Sequence, residues 1–272
     1  MKKFIPLISL CFLFSFDVLA QVDSSIFNFR KHIINSEALD ESREYWVSLP
    51  MNYSDTAQYP VIYVFDAEWR FDLVRNIEYD LAGNRKIPAH IIVGIPHVEM
   101  EVKRAIDLTF GHSRMEYDGD PVDSTWFNAS NSGGAHKFYQ YLKEELITDV
   151  DKNYSTNTDR ILVGHSYGGY FAAYLLTMDH PFTALQIYDP SIWYGNGEVT
   201  NNLKKKSTPN KKVNIYISYQ IDPVFHGDKI KEFISEIETH NNFKLNHIER
   251  KNETHNSLFM ISFLEGIQWL YK

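Results

Sequence analysis

The chain has 272 residues, room for one large domain or two small ones at roughly 100–200 residues each. With 44% hydrophobic and 23% charged residues it is neither disordered nor collagen-like, and a net charge of −8 argues against a nucleic-acid binder. The single cysteine, Cys11, allows neither an internal disulfide nor a cysteine-based zinc site.

Lys2 and Lys3 open the chain, an apolar run follows from Ile5 to Phe16, and Val18-Leu19-Ala20 supplies small residues for cleavage. That three-part layout predicts a secretory signal peptide over residues 1–20, hence a periplasmic or secreted protein. The run is too short to span a bilayer, which predicts no stable membrane insertion once the leader is removed. Leu10 is bulky where a lipoprotein needs a small residue before Cys11, so lipidation is not expected. Loss of Lys2, Lys3 and Asp17 moves the charge from −8 to −9 and leaves no thiol.

Residues 21–272 carry no internal repeat and no low-complexity linker, and read as one domain. Short apolar, β-branched runs at 45–49, 61–65, 91–95, 160–163 and 213–217, with an alternating run at 243–249, predict strands, most of them buried on both faces of a largely parallel sheet. Helical periodicity falls between them at 137–151, 170–178, 229–240 and 258–271. Strands alternating with helices predict an α/β fold. The stretch 109–135 fits neither pattern. It is rich in Gly, Asp, Ser and Asn and reads as a loop or cap-like insertion.

Gly164-His165-Ser166-Tyr167-Gly168 follows the strand at 160–163 and precedes a helix, the context that the G-x-S-x-G nucleophile elbow requires. Glycines two before and two after Ser166 let neighbouring backbone approach a sharp turn. Serine at neutral pH needs a base. Of the histidines that follow, His255 stands in a polar loop between the last strand and the last helix, and is the expected base, with His226 in reserve. The orienting acid is expected after the strand at 213–217, so Asp222 is the first choice; Asp228, Glu249 and Glu253 are the alternatives. The oxyanion needs two backbone N–H groups, one from Tyr167 and one from the turn after the strand at 61–65, taken as Ala67. Trp193, Trp126 and Trp69 are candidates for the substrate pocket.

Several segments carry a family resemblance. These are Arg43–Pro50, Tyr59–Asp66, Arg104-Ala-Ile-Asp107-Leu-Thr, Ser132-Gly-Gly-Ala135, Lys143–Ile147, Gly164–Gly169, Asp189-Pro-Ser-Ile-Trp193 (against S-P-S-L-W) and His255-Asn-Ser257 (against H-x-S). Together they resemble the esterase family of α/β-hydrolases, in its siderophore-esterase-like and esterase-D-like branch, over about Arg43 to Leu270. The resemblance implies an α/β-hydrolase fold with helices on both faces of the sheet. It also implies a serine carboxylic-ester hydrolase with a Ser-His-acid triad, acting on a small acyl or siderophore-type ester without metal or organic cofactor. A feruloyl or acetyl-polysaccharide esterase, an acyltransferase on the same triad, or an inactive binding protein on this scaffold are the alternatives. No partner beyond the ester substrate is implied, and the oligomeric state is unknown at this level. Two departures stand out: Ala67 replaces a common Gly, and Gln220-Ile221-Asp222 replaces G-x-x-E. Arg104 and Asp107 read as an exposed i, i+3 ion pair that pins a loop.

Overall fold

The computed structural model describes residues 29–205 and 211–272; the expected leader at 1–20 lies outside the described residues. Eight strands form one sheet: β1 (Arg30–Ser36), β2 (Glu41–Ser48), β3 (Tyr59–Phe65), β4 (Ile91–Ile95), β5 (Thr156–His165), β6 (Ala184–Tyr188), β7 (Val213–Tyr219) and β8 (Phe243–Glu249), in the order β1-β2-β4-β3-β5-β6-β7-β8. β1, β2 and β4 pair antiparallel, and every pairing from β4 through β8 is parallel. The helices are α1 (Ala67–Gly83), α2 (Met100–Leu108), α3 (Ala135–Gln140), α4 (Ile147–Asn153), α5 (Tyr167–Leu175), α6 (Glu198–Lys205), α7 (Val224–Ile237) and α8 (Leu258–Leu270). A π-helical stretch, Tyr141–Leu146, joins α3 to α4, so the single period read at 137–151 spans three segments. This is the α/β-hydrolase arrangement.

Alternation along β3 shows why its apolar run is continuous. Val61, Tyr63 and Phe65 enter the core that includes Phe171 of α5, while Ile62 and Val64 enter the opposite core with Phe71 of α1 and Phe263 of α8. Both faces are covered, so positions 61–65 include none that faces solvent. Each of these side chains contributes about 1.5–3 kcal/mol over an exposed position.

Parallel register then brings the strand ends to one edge. Val64 of β3 pairs with Val163 of β5, His165 of β5 with Tyr188 of β6, and Tyr188 with Ser218 of β7. Ligand sites of open α/β sheets lie outside the carboxyl ends of the strands. Residues 109–134 contain no helix or strand beyond a Met115–Pro121 bridge. This loop turns through Gly119 at φ 97°, where a Cβ would come within 3.0 Å of the Phe225 ring. It is thereby seated against α7. Among the described residues no helix is long and apolar enough to cross a membrane.

Candidate active site

Ser166 sits between β5 and α5 at φ 59°, ψ −119°, a conformation that costs about 1–3 kcal/mol for a non-glycine residue. The turn is held by Ser166 N–H donating to Tyr188 O (3.0 Å) and by Ser166 O accepting from Tyr170 N–H (2.9 Å) and Ser191 N–H (3.1 Å). Glycine at 164 is obligatory, because a Cβ there would lie 2.1 Å from Gly168 O. Sequence therefore builds strain into one residue and surrounds it with backbone that cannot relax.

Tyr167 and Ala67 are the first residues of α5 and α1, where N–H groups have no acceptor within the helix. The β3–β5 register sets these two helix starts side by side. Asp66, in the left-handed region at φ 56°, precedes Ala67 and is buried. Arg104 grips its carboxylate through Nε (2.6 Å) and Nη2 (2.9 Å), and Nη2 also donates to His165 O at 3.3 Å. Burial pushes the Asp66 carboxyl up, but the Arg104 guanidinium outweighs it and holds Asp66 ionised below the usual range.

Arg104 and Asp107 are therefore not partners of each other. Asp107 takes a bidentate pair from Arg43 (2.7 and 2.8 Å) and faces His97 Nδ1 at 3.0 Å. Arg104 reaches back 38 positions to Asp66 and Arg43 reaches forward 64 to Asp107, which an i, i+3 reading cannot show. These pairs are buried, with Asp107 and Arg43 each about 2% exposed. They are internal ties rather than a surface pin.

His255 lies in the loop between β8 and α8. Its Nδ1 meets Asp189 Oδ2 at 2.6 Å. The carboxylate against His255 is thus Asp189, and the expectation that Asp222 faces it is corrected. Asp189 follows β6, the strand beside β5, and is fully buried, whereas Asp222 lies beyond β7 on an exposed stretch. Asp222 engages only its own neighbour, donating its backbone N–H to Gln220 Oε1 at 2.5 Å. Of the alternatives, Asp228 is exposed on α7, Glu249 ends β8, and Glu253 accepts from Ser257 Oγ at 2.6 Å.

Four donors converge on Asp189. His255 Nδ1 and Gln220 Nε2 (3.3 Å) reach Oδ2; His226 Nε2 (3.1 Å) and Gln220 N–H (3.0 Å) reach Oδ1. Burial raises its carboxyl pKa, but the histidine hydrogen bonds and the Gln220 amide overcome that and hold it far below the carboxylate range. His226, the reserve base, is a buried partner of Asp189.

Ser166, Tyr167, Trp193, His226, Asp222 and His255 share one cavity of about 440 Å3, closed on another side by Glu116 and Tyr117 from the 109–134 loop. A larger cavity of about 570 Å3 beside Arg75 and Tyr79 is lined by no histidine, and volume alone does not mark a site. Trp69 and Trp126 are 61% and 59% exposed and stand outside this cavity, so of the three tryptophans Trp193 alone lines it. Among the described residues no cluster of His, Cys, Asp and Glu is arranged to hold a metal ion.

Asp189 is the residue that sequence reasoning missed. Its signal was present in Asp189-Pro-Ser-Ile-Trp193, where the resembling branch has serine at the first position.

Comparison with known proteins agrees with this architecture. The family model described as "Putative esterase" matches residues 36–256. The ferri-bacillibactin esterase BesA of Bacillus subtilis is 28% identical over 197 residues, a match spanning 66% of each chain, just under two thirds of that relative's length. An IroE-like serine hydrolase from Shewanella oneidensis superposes with a TM-score of 0.79 at 25% identity, covering 90% of this chain and 80% of its own. The BES protein from Bacillus cereus shares the fold at TM-score 0.72 and 22% identity, with 89% and 96% of the chains covered.

Proposed function

The chain belongs to the putative esterase family, and from that premise we propose that it is an exported serine carboxylic-ester hydrolase working through Ser166, His255 and Asp189. The observation that carries the reading is the 2.6 Å contact between His255 Nδ1 and the buried Asp189 carboxylate, on the rim of the cavity that Ser166 also lines. An ionised Asp189 keeps the proton on Nδ1 and leaves Nε2 as the acceptor. Ser166 Oγ attacks the ester carbonyl while His255 Nε2 takes its proton. The N–H groups of Tyr167 and Ala67 receive the oxyanion, each worth about 10²–10³ in turnover. His255 then protonates the departing alcohol, activates a water against the acyl-enzyme, and releases the acid.

The substrate we infer is a small acyl ester or a siderophore-type lactone, the latter in keeping with the name of the Bacillus subtilis relative. The cavity wall offers Trp193, Tyr117 and Tyr167 to an apolar or aromatic group. Glu116 and Asp222 line it, while no lysine or arginine does among the described residues, which favours a neutral ester over a polyanion. Export rests on the signal-peptide pattern of residues 1–20.

The test is fluorophosphonate labelling of residues 21–272 with turnover of p-nitrophenyl acetate and butyrate, wild type beside Ser166→Ala. Labelling and turnover should both vanish in the variant. A folded wild type that neither labels nor turns over any ester in the panel would overturn the reading.

A further inference from the structure

One residue links the turn that carries Ser166 to the loop that carries His255. His165 precedes Ser166 and is buried, with 5% of its surface exposed. Its carbonyl accepts from Arg104, the side chain that grips Asp66 beside the Ala67 N–H. Its ring reaches the base loop, where Nε2 lies 2.6 Å from the backbone carbonyl of His255 and the two imidazoles pack with centroids 4.4 Å apart. On the other side Nδ1 faces Arg70 Nη2 of α1 at 3.5 Å, and that guanidinium lies 4.3 Å above the Phe259 ring of α8.

These contacts leave one arrangement of protons. A carbonyl oxygen only accepts, so His165 Nε2 carries the hydrogen; a guanidinium only donates, so Nδ1 presents its lone pair. The ring must then be neutral. Burial, with the His255 and Arg70 charges nearby, pushes its pKa down to about 3, in agreement with that tautomer.

We propose that His165 is a positioning residue that fixes the His255 loop relative to Ser166 through the hydrogen bond from its Nε2–H to the His255 carbonyl. This rests on the reading of Ser166 and His255 as nucleophile and base. Asp189 orients the His255 ring from one side, but the ring hangs on a loop whose backbone must also be placed. His255 is 40% exposed at its side chain, so packing alone does not hold it. The loop is folded by its own hydrogen bonds, such as Thr254 N–H to Ser257 Oγ and Leu258 N–H to Thr254 O, and the bond from His165 ties it at His255 itself to the residue adjoining the nucleophile, so that base and nucleophile move together. Misplacement of a catalytic group by about 1 Å costs on the order of 10² in rate.

The experiment compares His165→Leu, which removes the donor, with His165→Gln, whose longer amide restores an N–H near the Nε2 position. For p-nitrophenyl butyrate, kcat should fall about 10- to 100-fold in His165→Leu with KM within about threefold of wild type. His165→Gln should recover kcat to within about fivefold, and the fluorophosphonate labelling rate should track kcat. If His165→Leu fails to fold, His165→Asn, whose shorter amide places no donor at that position, replaces it in the comparison. Independently of turnover, 15N-histidine spectra of Ser166→Ala should show His165 as the Nε2–H tautomer throughout pH 5–8. A titrating or Nδ1–H His165, equal losses in the Leu and Gln variants, or undiminished kcat in both would overturn the proposal. An inactive, unlabelled wild type would instead overturn the esterase reading, while the spectra still report on His165.

Discussion

Asp189→Asn is the perturbation that most directly separates the acid seen in the structure from the one expected after β7. The four donors around Asp189 fix how an amide must sit. Gln220 N–H, 3.0 Å from Oδ1, is backbone and cannot reverse, so the asparagine oxygen takes that side. The amide NH2 then occupies the Oδ2 position, 2.6 Å from His255 Nδ1. Two donors cannot share a hydrogen bond, so His255 moves its proton to Nε2, the nitrogen that must accept from Ser166. Loss of the correct tautomer in a Ser-His-Asp site lowers kcat by about 10⁴, equivalent to about 5 kcal/mol of transition-state stabilisation. We expect that loss for Asp189→Asn in steady-state hydrolysis of p-nitrophenyl butyrate, with KM within a few-fold and the fold retained by circular dichroism. Asp222→Asn, on the cavity wall but not hydrogen-bonded to His255, should stay within about twofold of wild type. An Asp189→Asn variant keeping more than a tenth of kcat, or an Asp222→Asn variant falling as far, would refute the assignment.

Arg104→Met should lower stability by about 3–5 kcal/mol in urea unfolding, because it strands the buried Asp66 carboxylate, and Arg104→Lys should not fully restore the bidentate grip; an unchanged midpoint would show that Asp66 is solvated some other way. Trp193→Ala should raise KM severalfold for p-nitrophenyl butyrate, while Trp69→Ala and Trp126→Ala leave it unchanged, since only Trp193 lines the cavity. Burial pushes His165 down to about 3 and His180 to about 4, so between about pH 6.5 and 4 the unfolded chain binds protons that the folded one refuses. Stability contributed by these rings is complete above about pH 6.5 and drains as pH falls toward the folded values, at no more than about 1.4 kcal/mol per pH unit for each. The raised carboxyls of Glu68 and Glu198 act in the opposite sense, so the check is differential: urea midpoints at pH 7.5 and 5 should differ less in His180→Gln than in wild type.

What the amino-acid pattern made legible follows from burial. β4, the 61–65 run of β3 and the inner half of β5 are covered on both faces and so appear as apolar runs, with β7 interrupted at Asn214, and glycine at 164 is dictated by a turn that excludes its Cβ. α1 was not visible as a helix. It begins at the left-handed Asp66 and alternates charged residues with its buried ones, so its first turn, Ala67-Glu68-Trp69-Arg70, resembles a loop. β1 is a sheet edge with Ile33 70% exposed, and carries no two-faced signature. Pairings such as Arg43 with Asp107 and Arg104 with Asp66 are fixed by the sheet order rather than by local spacing.

The misplaced acid has the same origin. β6 is five residues long and holds Gln186 at its centre, buried because its amide donates to Gly266 O at 3.2 Å. That internal partner lets a polar residue into a core strand and breaks the apolar run by which such strands are recognised. With β6 unseen, 213–217 is the first strand legible after the Ser166 turn, and the acid is expected at its end. Yet Tyr188 of β6 and Ser218 of β7 are paired in register, so the residues that follow them open on the same space. Either strand is able to deliver a carboxylate to His255. Here β6 supplies it as Asp189, in place of the serine of the resembling branch, and β7 supplies Gln220, which donates two hydrogen bonds to that carboxylate. The differences from the family pattern at 189 and at 220–222 thus fit together: the charge follows the strand nearer the nucleophile, and the residue after the other strand supports it.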